Sequence, residues 1–157
     1  MRVLFVCLGN ICRSPLAEGL FAEAVAERGL SANFTIDSAG TAGYHIGELA
    51  DKRTRANAAS HGLELTHRAR QFRTSDFHDF DLILAMDKSN LQNILHMKPA
   101  TATAKTMLFR DFDSIQSHNG EVPDPYYGTG ADFEEVYQIA RRTASLLLEH
   151  LVAEKQL

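Results

Sequence analysis

The chain of 157 residues has only two cysteines, no long apolar run, no basic cluster and no glycine-rich nucleotide motif, and each shortage narrows what it can be. Cys7 and Cys12 lie in one short run, so they cannot supply a disulfide scaffold; catalysis or redox sensing is left as their chemistry. The seven histidines form no H-E-x-x-H pattern and the cysteines are not at zinc-ligand spacing, so neither a metal nor another cofactor is expected. No apolar stretch reaches 18 residues, and the start MRVLFV runs into CLGN without a cleavage-like region, so a cytoplasmic chain with no membrane contact is expected. Net charge of -4, a pI near 5.9 and the lack of a basic run argue against a nucleic-acid partner. The first loop holds Gly9 as its single glycine and no Walker lysine follows, which excludes dinucleotide and nucleoside-triphosphate cradles.

What is present is a chain with 45% hydrophobic residues, enough to fill one core, and a single domain over residues 1–157 is expected. Strand-like and helix-like segments alternate. VLFV is followed by a helix from Pro15 to about Arg28, FTIDS by a helix near Asp51 to His61, LILAM by a helix near Lys88 to Leu95, and TMLF by a long last helix. This order predicts an α/β fold, a doubly wound parallel sheet with helices on both faces. Asp132 with Glu135 three residues later suggests a capping box for the last helix, whose core positions are Phe133, Val136, Tyr137, Ala140, Ala144, Leu147, Leu148 and Leu151. Arg110 to Gly120 is polar and reads as a loop.

The chemistry concentrates in VLFVCLGNICRSPLAEGL at residues 3–20. An apolar strand delivers Cys7, Gly9 and Asn10 permit a tight turn, Ser14 can cap the next helix, and Pro15 suits its first turn. Ligands of doubly wound sheets bind beyond the carboxyl ends of strands, where Cys7 sits. Inward amides, the positive end of the helix and the Arg13 guanidinium all favour negative charge there, so one field stabilises a thiolate nucleophile and holds a phosphate dianion. Arg13 offers a planar fork for two phosphoryl oxygens, and Ser14 can hold the thiolate and ease its departure from phosphorus. Phosphoryl transfer also needs a proton donor for the leaving group. Asp124 in VPDPYYGTG is the candidate, held between Pro123 and Pro125 in a stiff loop that Gly128 and Gly130 end.

These residues carry a resemblance: the chain is similar to the low-molecular-weight protein tyrosine phosphatases. That family's signature reads here VCLGNICRSP and its late acid loop reads DPYYG; DSAGT at 37–41, HRARQ at 67–71 and FDLILAMDKSNL at 80–91 resemble further family segments. The resemblance implies Cys7 as nucleophile, Arg13 as phosphate clamp and Asp124 as general acid. It implies substrate-binding roles along the loop for Leu8, Gly9, Asn10, Ile11 and Cys12. Asn10 would hold the loop in its strained turn, with Ser14, a further substrate-binding residue, and His67 in support bonded into that network, and Tyr44, Tyr126 and Tyr127 would wall the pocket. Tyr44 stands where several relatives carry tryptophan. Tyrosine-phosphorylated proteins are the implied partners, for a monomer or weak dimer. Bacterial relatives acting on phosphoarginine carry threonine where this chain has Ile11, whose apolar side chain suits a phenyl ring instead.

A protein arginine phosphatase is therefore the alternative. An arsenate reductase on the same scaffold would need cysteines downstream to relay a disulfide, and none follows Cys12. A non-catalytic phosphate-binding or redox module would not be expected to keep both Cys7 and Asp124. Redox control is a further expectation: a sulfenic acid on Cys7 would be captured by Cys12, the one other thiol, as a reversible disulfide.

Overall fold

In the computed structural model, which describes residues 1–157, the sheet is built around β1 (Arg2–Cys7). Val3 to Val6 are all 0% exposed. A strand with no polar face must be covered on both sides, and β1 is an inner strand that meets this condition. It pairs in parallel with β2 (Thr35–Gly40) on one side and with β3 (Leu82–Ala85) on the other. Beyond β3 lies β4 (Lys105–Leu108), also parallel, giving the order β2-β1-β3-β4.

Alternation along β1 sorts its side chains between two apolar layers. Val3, Phe5 and Cys7 face the larger layer, which takes in Leu16, Leu20 and Phe21 of α1 (Arg13–Glu27) and Tyr137, Leu147 and Leu151 of α5 (Gly130–Lys155). Leu4 and Val6 face the smaller one, with Phe77 from α3 (Asp76–Asp79) and Ile94 from α4 (Lys88–His96). The remaining helix, α2 (Lys52–Ser60), leans on α5: the His61 ring that follows it stacks on Tyr137 at 3.8 Å, and Asn57 donates to Glu134 at 2.9 Å. Helices thus cover both faces of a parallel sheet, as the alternating pattern predicts. No helix is long and apolar enough to cross a membrane.

Three local expectations are corrected. Helix α1 opens at Arg13 with Cys12 at its cap position, so Ser14 lies inside the first turn and its hydroxyl is free for other work. Helix α5 opens at Gly130 and is capped by Thr129, with Asp132 as the reciprocating partner; the Thr129 N–H donates to the Asp132 carboxylate at 2.6 Å. Glu135 is consequently no cap residue and pairs with His118. The polar stretch after β4 is no plain solvated loop either: it forms short 3-10 turns at Phe109–Phe112 and His118–Gly120 and buries Arg110 completely. The four-residue α3 has no counterpart in the sequence reading, being too short for any periodicity.

Candidate active site

The loop from Leu8 to Cys12 joins the C-terminal end of β1 to α1, and its shape follows from where its carbonyls go. Those of Cys7, Leu8 and Ile11 accept from the amides of Thr41, Ala42 and Asp51 at 2.9, 2.9 and 2.7 Å. With the carbonyls engaged outward, the Asn10 N–H turns inward to Cys7 Sγ at 3.3 Å. The left-handed residue of this turn is Asn10, with φ 58, and not Gly9. Gly9 sits in tight space instead: a Cβ there would stand 3.2 Å from the His45 ring, which would have to give by a few tenths of an ångström. Gly40, at the end of β2, is required more strictly. A Cβ on it would meet the Leu8 carbonyl oxygen at 2.7 Å, backbone against backbone.

Asn10 is held in its strained conformation by four hydrogen bonds. Its amide nitrogen donates to Ser14 Oγ at 2.8 Å and Ser38 Oγ at 3.0 Å, and its oxygen accepts from His67 Nε2 at 2.8 Å and the Arg70 N–H at 3.0 Å. Ser14 Oγ in turn lies 2.9 Å from Cys7 Sγ. Behind this layer, Ser38 donates to Glu18 at 2.6 Å, and His67 Nδ1 lies 3.2 Å from Glu18 and 3.4 Å from Asp37. Burial pushes Glu18 up to about 7, against the pull of Ser38, and burial pushes His67 down, against the pull of Asp37. Because the Asn10 oxygen can only accept, Nε2 of His67 carries the hydrogen of that bond. Although Glu18, Asp37 and His67 bring three donor atoms within 4.8 Å, each is already engaged by Ser38, Arg70 or Asn10, so the cluster serves the loop and not a cation.

Arg13 emerges from the first turn of α1, 3% exposed. Its NH1 nitrogen is committed to Asp87 at 2.6 Å and the Val122 carbonyl at 3.1 Å. Asp87 is itself fixed by accepting the Asn90 N–H at the start of α4. Burial disfavours the Arg13 cation, but Cys7, Asp87 and Asp124 outweigh it and hold the group above its ordinary value. The NH2 nitrogen lies 3.6 Å from Asp124, so nucleophile side, clamp and acid converge. Asp124 is held from its own loop, where it accepts the Tyr126 N–H at 3.1 Å.

These groups line a cleft of about 240 Å³ together with Leu8, Gly9, Ile11, Cys12, Tyr44 and the pair Tyr126 and Tyr127. Tyr126 and Tyr127 meet edge to face at 5.0 Å, and the Arg53 guanidinium steadies Tyr126 from 5.4 Å. Ile11 packs inward with Cys12, Ala69 and Phe133. Burial pushes the Cys12 thiol up to about 12, so it stays protonated beneath the loop. Asn10, Ser14 and His67 lie behind the cleft, where they shape the loop and do not line it. Sequence reading missed Asp87, Glu18, Ser38 and Gly40, and it missed His45, which lines the cleft and pairs with Glu48. A lone histidine in a loop carries no signal. Asp87 could have been found, since an acid opening α4 straight after a buried strand sits at the same sheet edge as Cys7.

A family model described as low molecular weight phosphotyrosine protein phosphatase matches residues 2–157. A low molecular weight phosphotyrosine protein phosphatase from Schizosaccharomyces pombe is 49% identical over 138 residues, covering 87% of this chain and 88% of that one. Among solved structures, a protein tyrosine phosphatase from Entamoeba histolytica, with Hepes in its active site, superposes with a TM-score of 0.93 at 39% identity, over 100% of this chain and 99% of that one. An arginine phosphatase from Drosophila superposes with a TM-score of 0.90 at 33% identity, over 96% of this chain and 98% of that one.

Proposed function

This chain belongs to the low molecular weight phosphotyrosine protein phosphatase family, and from that premise we propose that it hydrolyses phosphotyrosine in phosphoproteins through a phosphocysteine on Cys7. The observation that carries the reading is the convergence of Cys7, the open edge of Arg13 and Asp124 on one cleft. With NH1 occupied by Asp87 and Val122, the Nε and NH2 edge of Arg13 is free to grip two phosphoryl oxygens, while the loop amides receive the rest. The Cys7 thiolate attacks phosphorus as the phenolic oxygen leaves, and Asp124 gives that oxygen its proton. Water then attacks the phosphocysteine, Asp124 takes its proton, and the Ser14 hydroxyl, 2.9 Å from Sγ, stabilises the departing thiolate. No step draws on a metal or cofactor. Peroxide control belongs to the proposal as well: peroxide oxidises the Cys7 thiolate to a sulfenic acid, and Cys12, on losing its proton, attacks that sulfur and displaces the hydroxyl as water to give the disulfide.

The test is hydrolysis of p-nitrophenyl phosphate without added metal; absence of turnover overturns the reading. The Drosophila neighbour makes phosphoarginine the second substrate to assay. Ile11, buried among apolar side chains at the cleft floor, supports the flat phenyl ring over the polar guanidino group. Ile11→Thr is expected to shift the ratio of the two activities toward phosphoarginine, and an unmoved ratio shows that residue 11 is not the selector.

A further inference from the structure

Away from the catalytic cleft, a groove of about 820 Å³ runs between α2 and the segment at residues 62–68. Its floor is apolar, formed by Leu49, Leu63 and Leu65, and three cations edge it: Lys52, Arg55 and Arg68. None of the three has a carboxylate within 4.0 Å, in a chain where 20 acidic side chains face 16 basic ones and where Arg13 in the cleft and Arg53 beside Tyr126 are both ion-paired. Two of them are nonetheless fixed in place. Arg55 Nε donates to the Ala50 carbonyl at 2.8 Å and Arg68 NH1 to the Gly47 carbonyl at 3.0 Å, each anchor using one N–H and neutralising no charge. Glu64 is the one acid on the groove, so the surplus of positive charge stands.

A short stretch of chain links the groove to the catalytic cleft. Leu49 borders the groove and bridges to Arg68, while His45 borders the cleft. Four residues span at most about 14 Å, and an extended peptide advances about 3.4 Å per residue. A substrate with its phosphotyrosine in the cleft therefore reaches the groove about four residues away.

We propose that this groove docks an acidic segment of the phosphoprotein substrate, its carboxylates on Lys52, Arg55 and Arg68 and its apolar side chains on Leu49, Leu63 and Leu65. The proposal deepens the phosphatase reading and rests on it. Three exposed ion pairs are together worth about tenfold in kcat/KM. The preference should act through KM and fade with added salt.

Four phosphotyrosine peptides test it, carrying a run of glutamates or of glutamines that starts four residues to the amino or the carboxyl side of the phosphotyrosine. One glutamate peptide is expected to exceed its glutamine counterpart about tenfold in kcat/KM, and Lys52→Glu combined with Arg55→Gln should erase that preference. Equal rates for glutamate and glutamine peptides on both sides, or a preference that survives the two substitutions, overturn the docking site. Turnover of p-nitrophenyl phosphate, which is too small to reach the groove, separates this failure from a failure of the phosphatase reading. Should that turnover be absent, fluorescence anisotropy with the unphosphorylated peptides still decides docking: equal binding of glutamate and glutamine forms overturns it.

Discussion

Two arginines in this molecule are almost fully buried, Arg13 at 3% and Arg110 at 0% exposure, and they are used in opposite ways. Arg110 spends all five of its N–H donors inside the protein. Nε donates to Asp113 at 2.9 Å, NH1 to the carbonyls of Ser117 and Glu121 at 2.6 and 2.8 Å, and NH2 to the Ile115 carbonyl and the Ser117 hydroxyl. Arg13 commits NH1 alone and presents its remaining edge to the cleft. Burying a guanidinium costs several kcal/mol unless it is paired, so a saturated one is a staple and an unsaturated one is poised for an anion. The two are also linked in space. Arg110 pins Glu121, the next residue Val122 accepts from Arg13, and Asp124 follows two positions later.

The largest effects should separate the two roles. Arg13→Lys replaces a fork with a point charge and should lower kcat by about 100-fold or more, with thermal stability changed by only a few degrees. Cys7→Ser should remove turnover altogether while phosphate or vanadate still binds, because the loop amides and Arg13 survive the change. A melting temperature that falls steeply in Arg13→Lys while kcat holds would make Arg13 a staple like Arg110. Isothermal titration with vanadate and a melting curve on each variant provide the readout.

Asp124→Asn sharpens the same contrast from the side of the acid. General acid catalysis contributes about 100-fold to 10,000-fold, and its share grows as the leaving group becomes poorer. The variant should lose most with alkyl phosphates and much less with p-nitrophenyl phosphate. A small loss that is uniform across leaving groups would remove Asp124 from the acid role.

How much of this was legible from the residues depends on whether the signal was local. Cys7, Arg13 and Asp124 stand in contiguous motifs whose turn chemistry is written beside them, and the apolar strand at 3–6 declares itself by composition. The buried face of α5 was equally readable, because 3.6-residue spacing survives whatever packs against it. Arg110 was not. Nothing in RDFDSIQSHNG distinguishes a solvated polar loop from one folded around its own arginine, since the acceptors are mostly backbone carbonyls that every residue has. Glu18, Ser38 and His67 were illegible as a set for a related reason: they come from α1, β2 and a loop, and their contacts exist only once the sheet has brought them together. Ser14 misled for the opposite reason, a good helix cap whose hydroxyl was claimed by Cys7 and Asn10.

Arg110→Met should then destabilise where Arg13→Lys does not. Removing one partner of a buried pair costs about 3 to 5 kcal/mol, and the lower end applies because Asp113 keeps Arg142 at 2.7 Å. Urea unfolding should show the loss as a lower midpoint. In the fraction that remains folded, kcat should fall further for alkyl phosphates than for p-nitrophenyl phosphate, because slack at Glu121 is passed to Asp124. A stability loss with no change in leaving-group dependence would confine Arg110 to the role of a structural staple.

The smallest effect concerns the carboxylate at the other end of that staple. Burial alone would push Asp113 up, but bonds from Arg142, Arg110 and the Ile115 N–H pull it below its ordinary value, to about 2. A carboxylate depressed on folding contributes stability that is present above its unfolded value near 4 and is lost as pH falls toward 2. With about 1.4 kcal/mol per unit, the contribution is about 2 to 3 kcal/mol, and it should disappear across that window. Arg142→Gln keeps the fold, since Arg142 is partly exposed, and removes the largest stabilising bond to the anion. Other depressed carboxylates, Asp51 and Asp81 among them, titrate alike in both proteins and cancel in the difference. Unfolding free energies measured from pH 5 to pH 2 should therefore fall less steeply in Arg142→Gln than in the parent chain. Parallel acid limbs would mean that Arg110 and the Ile115 N–H hold Asp113 low by themselves, and that the ion pair with Arg142 adds nothing to the staple.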